Sequence, residues 1–395
     1  MELQRWNKKF CSVFLLLFCL APISCKKHTS KDLIAFDVNG NFPVKTLDVE
    51  EVADIEYVVL DITDDDYLFS DFMSMSDNFV ICYAQRTFFF FDRKTGKPVS
   101  KVDRRGNGPE EYLSATTCFY SEAKDELFIL DSDNRIKVYG KDGSFKRKFQ
   151  FPPDGKDFFP AGLHCLFDYD EQHLLLSVIS IRGSMSGIGA MKDTSFVLIS
   201  KQDGLTEVIL TPSEKRVPLT YFQGMVGTIP STYFAVPNGR DLLLTDYSSD
   251  TVYRFTPDRQ LIPVLVREPS IQKMQTKIFL HSWLETNKYL FFSTQLIDYD
   301  WNAGKWPPEQ GYMIEKSSDR FFRTNIQMRD YKGKELILGP SVIYQTQNQH
   351  TGIIVLKTWE LHAANKENRL SGKLKEVTDR LAEDDEYVFM ILKFR

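Results

Sequence analysis

Outside its first two dozen residues, the 395-residue sequence has no apolar run approaching the ~20 residues that a membrane-spanning helix needs. The body of the chain is therefore expected to be soluble. An excess of basic charge is also missing: 49 Lys and Arg face 54 Asp and Glu, a net charge of −5, whereas phosphate recognition needs a positive surface. Nucleic acid is thus not an expected partner. Cysteine and histidine are scarce, at six each. The sequence contains no His-Glu-x-x-His and no Gly-x-Ser-x-Gly, and the Gly183–Gly189 stretch lacks the Lys-Ser/Thr that follows a phosphate cradle. These absences point away from catalysis, and no cofactor is expected. What the chain does have is apolar bulk: 31 Phe, 17 Tyr and 43% hydrophobic residues, which exclude disorder, collagen and coiled coil.

The first residues form an address. Arg5, Lys8 and Lys9 precede an apolar run from Phe10 to Ile23, a charged region followed by a hydrophobic one too short to span a bilayer. The run ends at Ala21-Pro22-Ile23-Ser24-Cys25, where a small residue directly before cysteine resembles the lipobox of bacterial lipoproteins, with Pro22 where Leu is usual. The expectation is a lipoprotein signal peptide over 1–24, a lipidated Cys25 and a tether over 25–32. At ~0.8 kcal/mol per buried CH₂, several acyl chains hold a protein durably on a membrane. The expected location is the cell envelope, at the outer membrane, facing the periplasm or the surface. Cys82, Cys118 and Cys165 remain, an odd number, each in an apolar stretch that reads as buried thiol.

The rest of the chain repeats. Apolar runs begin at Phe79, Leu127, Leu174, Leu242, Leu290 and Ile353, spaced 48, 47, 68, 48 and 63 residues apart. A period of ~40 to 50 residues, lengthened twice by insertions, is that of four-stranded propeller blades. The clearest unit divides into strands near Thr117–Ser121, Glu126–Asp131, Arg135–Tyr139 and Ser144–Phe149, with Asp142-Gly143 as a tight hairpin turn and Lys94-Thr95-Gly96 at the same place one unit earlier. Second strands are continuously apolar, so both of their faces are buried, as in blades stacked around an axis.

The termini fit a closed ring. Ile55–Leu60 reads as a strand with no unit before it and Tyr387–Leu392 as a strand at the end of the chain, so their pairing completes a sixth blade and removes two free edges. Between about 368 and 383 the apolar residues Leu370, Leu374, Val377 and Leu381 are spaced 4, 3 and 4 apart, which predicts one amphipathic helix inserted in the last blade. The fold class is all-β: a six-bladed β-propeller over 33–395, closed by an N-terminal strand.

The segment from Asp103 to Tyr112, preceded by Phe91-Asp92-Arg93-Lys94-Thr95-Gly96-Lys97, resembles the 6-bladed β-propeller lipoprotein family of Gram-negative envelopes, with its NHL/TolB-like fold. That family's turn reads Gly-x-Gly-Pro-Gly-Glu-Tyr/Phe. Gly106, Gly108, Pro109, Glu111 and Tyr112 match it, and Glu110 stands where glycine is usual. The resemblance implies fold and envelope location and little about activity.

Strand parity places the candidate surface. In an antiparallel blade with strands A to D, the B–C turn and the D-to-A connection share one end, and the long insertions fall there: 104–115, 180–192, 211–231, 295–310 and the late helix. Candidate binding residues are Arg104, Arg105, Glu111, Tyr112 and Arg182, with Tyr299, Trp301 and Trp306, whose rings could stack on sugars or clamp a peptide. Asp298, Asp300, Asn302 and Glu309 mimic positions 1, 3, 5 and 12 of a calcium loop, but Ala303 replaces the glycine required at position 6. Asp61–Asp66 and Asp131–Asn134 read as acidic turns before metal sites. His164 and His281, on inner strands, are the weak candidates for a metal other than calcium. The sequence thus predicts a non-catalytic binding propeller for a glycan, peptide or envelope protein. The alternatives are a metal-dependent propeller hydrolase or lyase, or a structural component of an envelope complex.

Overall fold

In a computed structural model, the described residues are 33–395 apart from 63–65, 70, 134, 151–158, 161–164, 180–195, 211–220, 223–224, 227–234, 247, 301, 337, 340–341, 346–349 and 383–386. They form six main sheets in chain order, the six blades of a propeller, and a separate two-stranded sheet of Tyr221–Phe222 and Met225–Val226. Blade 1 runs over 71–102, blade 2 over 115–150, blade 3 over 159–210, blade 4 over 235–268 and blade 5 over 278–327. Blade 6 takes three strands from the end of the chain, Ile343–Gln345, His350–Lys357 and Tyr387–Phe394. Its fourth is strand β3 (Ala53–Val59), paired antiparallel from Ala53 opposite Phe394 to Val59 opposite Val388. The ring closes as expected, by the chain's beginning pairing with its end.

The apolar runs of the second strands of blades 1 to 5 are buried. Val80, Ile81 and Cys82 of blade 1, Leu127 to Leu130 of blade 2 and Leu174 to Leu176 of blade 3 are at most 1% exposed. A strand with both faces packed on neighbouring blades cannot alternate, which explains the continuous apolar runs. In blade 2 the strands are Ala115–Ser121, Glu126–Asp131, Arg135–Tyr139 and Phe145–Gln150, within a residue or two of the expected limits. Gly143 and Gly96, with φ of 81° and 72°, occupy the two hairpin turns. A Cβ on Gly96 would lie 1.8 Å from the Val59 carbonyl oxygen, so this turn admits only glycine against the closing strand. Cys82, Cys118 and Cys165 are buried and form no disulfide among the described residues, and burial pushes the Cys118 thiol up to about 12.

Two strands go beyond the expected architecture. β1 (Ile34–Asp37) lies parallel to Leu261–Glu268 as a fifth strand outside blade 4, and β2 (Val44–Asp48) lies parallel to Arg320–Gln327 outside blade 5. The first 20 described residues, 33–52, therefore run along the outside of two successive blades before β3 closes the ring. Phe36 pins this belt: it is fully buried, with ring centroids 5.3 Å from Phe42, 4.7 Å from Phe292 and 5.0 Å from Tyr312.

The insertion in the last blade corrects the expected single helix over 368–383. It holds two, α1 (Thr358–Lys366) and α2 (Gly372–Thr378). Between them Asn368 has a positive φ of 53° and Leu370 forms a bridge with Tyr331, so the backbone leaves the helix where the side-chain spacing stays helical. Leu370 and Leu374 are buried, and Val377 and Leu381 pack on the same core, so the spacing reports the buried face correctly.

Replacing Phe36 with Ala is expected to cost about 3–5 kcal/mol of unfolding free energy, as for a buried Phe in a rigid core. Denaturant titration measures this. A loss below about 1 kcal/mol would mean that the belt is an appendage and not part of the ring.

Candidate functional site

The loop-rich end starts with the connection from blade 1 to blade 2. Glu111 folds back so that its carboxylate accepts from the Gly108 N–H at 2.8 Å, while the Glu111 N–H donates to the Gly108 carbonyl at 3.1 Å. A Cβ on Gly106 or Gly108 would come within 1.9 or 2.9 Å of that carboxylate, so the motif's glycines and its glutamate require each other. Glu110 does not take a positive φ, and the missing glycine therefore carries no backbone strain. Tyr112 is fully buried. Its hydroxyl lies 2.7 Å from the Arg86 carbonyl and 2.9 Å from that of Val102, its ring meets Phe88 and Tyr139 edge-on, and burial pushes its ionisation well above the ordinary range.

The arginines of this segment are engaged too. Arg104 Nε donates to the Gly143 carbonyl at 2.8 Å; Arg105 forks onto Asp103 at 2.7 and 3.1 Å and reaches the Gln85 carbonyl at 3.1 Å. The end of the connection is fixed by Asp131, whose carboxylate accepts from the Leu113 and Ser114 N–H groups and from Lys137 Nζ at 2.5 Å. Lys137 also reaches Asp133 at 3.1 Å, so a lysine occupies the centre of this acidic turn. Burial works to raise the Asp131 pKa, but the bonds from Lys137 and the two backbone groups prevail and hold it below the usual carboxylate range.

The second assembly stands on blade 5. His281, fully buried on the inner strand Ile278–Glu285, faces Ser293 across the sheet, with Nε2 2.7 Å from the Ser293 hydroxyl. Glu309, at the end of the 297–309 connection, reaches both groups with its carboxylate. Beside it Gln295 Nε2 donates to the Pro307 carbonyl at 3.1 Å. Burial opposes ionisation of Glu309, but the bonds from His281 and Ser293 lower its pKa overall. Serine, histidine and glutamate also make up hydrolytic triads, yet a triad places the carboxylate on the imidazole nitrogen opposite the hydroxyl. Here both meet Nε2, Nδ1 is buried without a partner, and Ser293 is 2% exposed. The cluster is a clamp on the connection. It holds Tyr299 and Trp306 as a half-buried pair, ring centroids 5.1 Å apart at 63°.

The calcium-like spacing dissolves in this geometry. Asp300 accepts from the Asn302 and Ala303 N–H groups at 2.9 Å each, and Glu309 turns inward to His281. Among the described residues no three His, Cys, Asp or Glu side chains converge on a metal position. Arg104, Arg105, Glu111 and Tyr112 are thus brought together in one connection, and Tyr299 and Trp306 in another. Cys25, Arg182, Trp301 and His164 lie outside the described residues. Ser293 escapes sequence reasoning, and Glu309 enters it only as a calcium-like position; their meeting at His281 depends on cross-strand register, which the sequence does not display. At the opposite end, the A–B turns of blades 1 to 4 surround a cavity of about 430 Å³ that holds Tyr120, Tyr169, Glu122, Asp168 and Asp170. The carboxylates of Glu122, Asp168 and Asp170 are engaged by Asn78, Lys201 and His173 respectively.

Asp131→Asn is expected to destabilise the fold by about 1.5–3 kcal/mol at neutral pH, because it takes the nearer of two carboxylates from the buried Lys137 and leaves it with Asp133 alone. A carboxyl whose folded pKa is depressed adds stability above its unfolded value, about 3.9, and loses it as pH falls through the folded value. The gap between wild type and variant should therefore narrow below about pH 4, as read by thermal denaturation across pH. Glu309→Ala should release the clamp and red-shift Trp fluorescence without unfolding the ring; an unchanged spectrum would assign the loop's order to other contacts.

Comparison with known proteins matches this architecture. An exported protein from Bacteroides fragilis NCTC 9343 has a similar structure, with a TM-score of 0.58 at 15% identity over 92% of this chain and 99% of that one. A member of the DUF4221 family from Bacteroides vulgatus gives a TM-score of 0.50 at 10% identity over 87% of this chain and 97% of that one. At such identities the likeness is one of fold. No curated protein matches the chain in sequence. Residues 33–393 match the model of the domain of unknown function DUF4934, and the chain belongs to that family.

Proposed function

We propose that the protein is an exported, lipid-anchored propeller of the cell envelope that binds a glycan, or else a peptide or protein, at its loop-rich end without catalysing a reaction. The observation that carries this reading is the clamped connection of blade 5. An aromatic pair held half-exposed by buried hydrogen bonds offers contact area at little entropic cost, which suits stacking on sugar rings. Location rests on the leader and the small residue before Cys25, and is supported by the B. fragilis neighbour's description as exported. Acylation of Cys25 would hold the ring at the outer membrane through the tether 25–32.

Glycan and peptide arrays probed with wild type, Tyr299→Ala and Trp306→Ala check the binding half. The expected result is a ligand whose affinity falls at least tenfold, about 1.4 kcal/mol, in either variant. Equal binding by all three proteins would remove the aromatic pair from the function. Intact-mass spectrometry of membrane-extracted protein checks the anchor: acyl mass on Cys25 is expected, and Cys25→Ala should move the chain to the soluble fraction. An unacylated mature N-terminus would sink this part.

A further inference from the structure

Blades 4 and 5 each carry a fifth strand from the belt, but blade 6 ends in β3, with no strand beyond it among the described residues. Val52 stands opposite Arg395 in the same register, and the Arg395 N–H donates to the Val52 carbonyl at 2.9 Å. Antiparallel pairing alternates, so residues 54, 56 and 58 turn their N–H and C=O groups toward the C-terminal strand, while Ile55 and Tyr57 turn theirs outward. The outward edge is usable: two residues past β3, the Asp61 N–H already donates to the Gly96 carbonyl of blade 1 at 2.9 Å.

A groove of about 760 Å³ runs along this edge. Ile55, Glu56, Tyr57 and Val58 all line it, and because side chains alternate between faces, four consecutive lining residues mark the backbone edge and not one face of the strand. The other wall is mixed with an excess of cations: Arg93 and Lys94 from blade 1 and Lys373 and Arg380 from α2 and the turn after it, against the carboxylates of Asp77 and Glu376. Lys94, Lys373 and Arg380 make no ion pair with described residues, whereas the groove's Glu56 is paired with Lys393 at 2.5 Å. Arg93 is 6% exposed; its Nη1 donates to the Ser76 carbonyl at 3.3 Å, and its Nη2 is buried without a partner. Glu56, Asp77 and Glu122 act on its charge from a distance, but the unused donor is a cost that a directly bonded carboxylate would relieve.

We propose that the outer edge of blade 6 takes up an extended acidic segment of a partner protein as a fifth strand. The segment pairs with the backbone of Ile55 and Tyr57 and sets its carboxylates toward Arg93, Lys94, Lys373 and Arg380. This is strand addition of the kind that β1 and β2 make on the two preceding blades, here supplied from outside the chain. The site is independent of the aromatic pair at the loop-rich end.

The test uses purified full-length protein and a labelled, N-acetylated, C-amidated peptide that alternates Glu and Val. Three competitors accompany it: the same peptide with Lys for Glu, the same peptide with a central Pro, and free glutamate. Fluorescence anisotropy should show binding of the Glu/Val peptide alone, weakened at least tenfold by the exposed double substitution Lys373→Glu/Arg380→Glu and unchanged by Trp306→Ala. Hydrogen exchange should show new protection at the Ile55 and Tyr57 amides. Absence of binding, equal binding of the Lys peptide, or protection elsewhere overturns the proposal. So does equal competition by the Pro peptide or free glutamate, which would indicate recognition of charge without strand pairing. Protection of the same amides in the free protein, together with a dimer in sedimentation, would give the edge to a second copy of the chain and also overturn it.

Discussion

The pairing of β3 with the C-terminal strand is the constraint on which the rest depends. A propeller is a ring of sheets that each bury both faces on their neighbours, so a gap at one joint exposes apolar surface on two blades at once. Here the joint is made by backbone hydrogen bonds between residues more than 300 positions apart, reinforced by Val58 and Phe389, which share one core cluster, and by Val388, Met390 and Leu392, which share another. Closure thus couples β3, near the start of the described residues, to the last strand, and Gly96 of blade 1 locks against Val59 at the end of the joint. The belt formed by β1 and β2 extends the same logic: it brings the N-terminal segment to blade 6 already anchored on blades 4 and 5.

Rigid closure lets the connections between blades carry buried polar chemistry without loosening the fold. The Asp131–Lys137–Asp133 group and the His281–Ser293–Glu309 group have the same form: ionisable or polar side chains, mostly out of solvent, tie one irregular connection to a regular strand. Either would be expensive in isolation, because burial penalises the charge. Backbone amides and paired charges satisfy the first and, apart from His281 Nδ1, its members satisfy one another in the second; the benefit is definition of a loop that would otherwise sample many conformations. The motif Gly-x-Gly-Pro-x-Glu-Tyr achieves the same definition without an ion pair, by folding the Glu111 carboxylate back onto two glycines with Tyr112 buried beside it.

Much of the ring was legible because its signals are local. Continuous apolar runs, Asp-Gly turns and a 47- to 48-residue spacing each reflect geometry within one blade, and blade 2 follows its expected strands closely. What was not legible is pairing at long range. Ile34–Asp37 and Val44–Asp48 are short stretches whose partners lie more than 220 residues away in parallel register, and no hairpin turn marks such a contact. The late insertion shows a subtler limit. Leu370, Leu374, Val377 and Leu381 were correctly placed on one buried face, but a periodic face does not require one continuous helix, and Asn368 and the Leu370 bridge interrupt it. At the candidate site, Tyr112 was singled out by its motif, and the structure accounts for the motif by burying that residue.

The two surfaces that remain open differ in what they can recognise. At the loop-rich end, Tyr299 and Trp306 are side chains on a clamped connection, so specificity there would come from ring faces and could vary with a few substitutions. At the edge of blade 6 the reading group is backbone, set by ring closure itself, and only the charge of the facing wall selects among extended partners. An exposed strand edge is ordinarily a hazard that proteins blunt with charge or cover with other chain. The belt covers the edges of blades 4 and 5 and stops where β3 is consumed in closing the ring. The lysines and arginines along the remaining edge therefore have two physical readings in one arrangement: they repel another copy's basic wall, and they admit a strand of opposite charge.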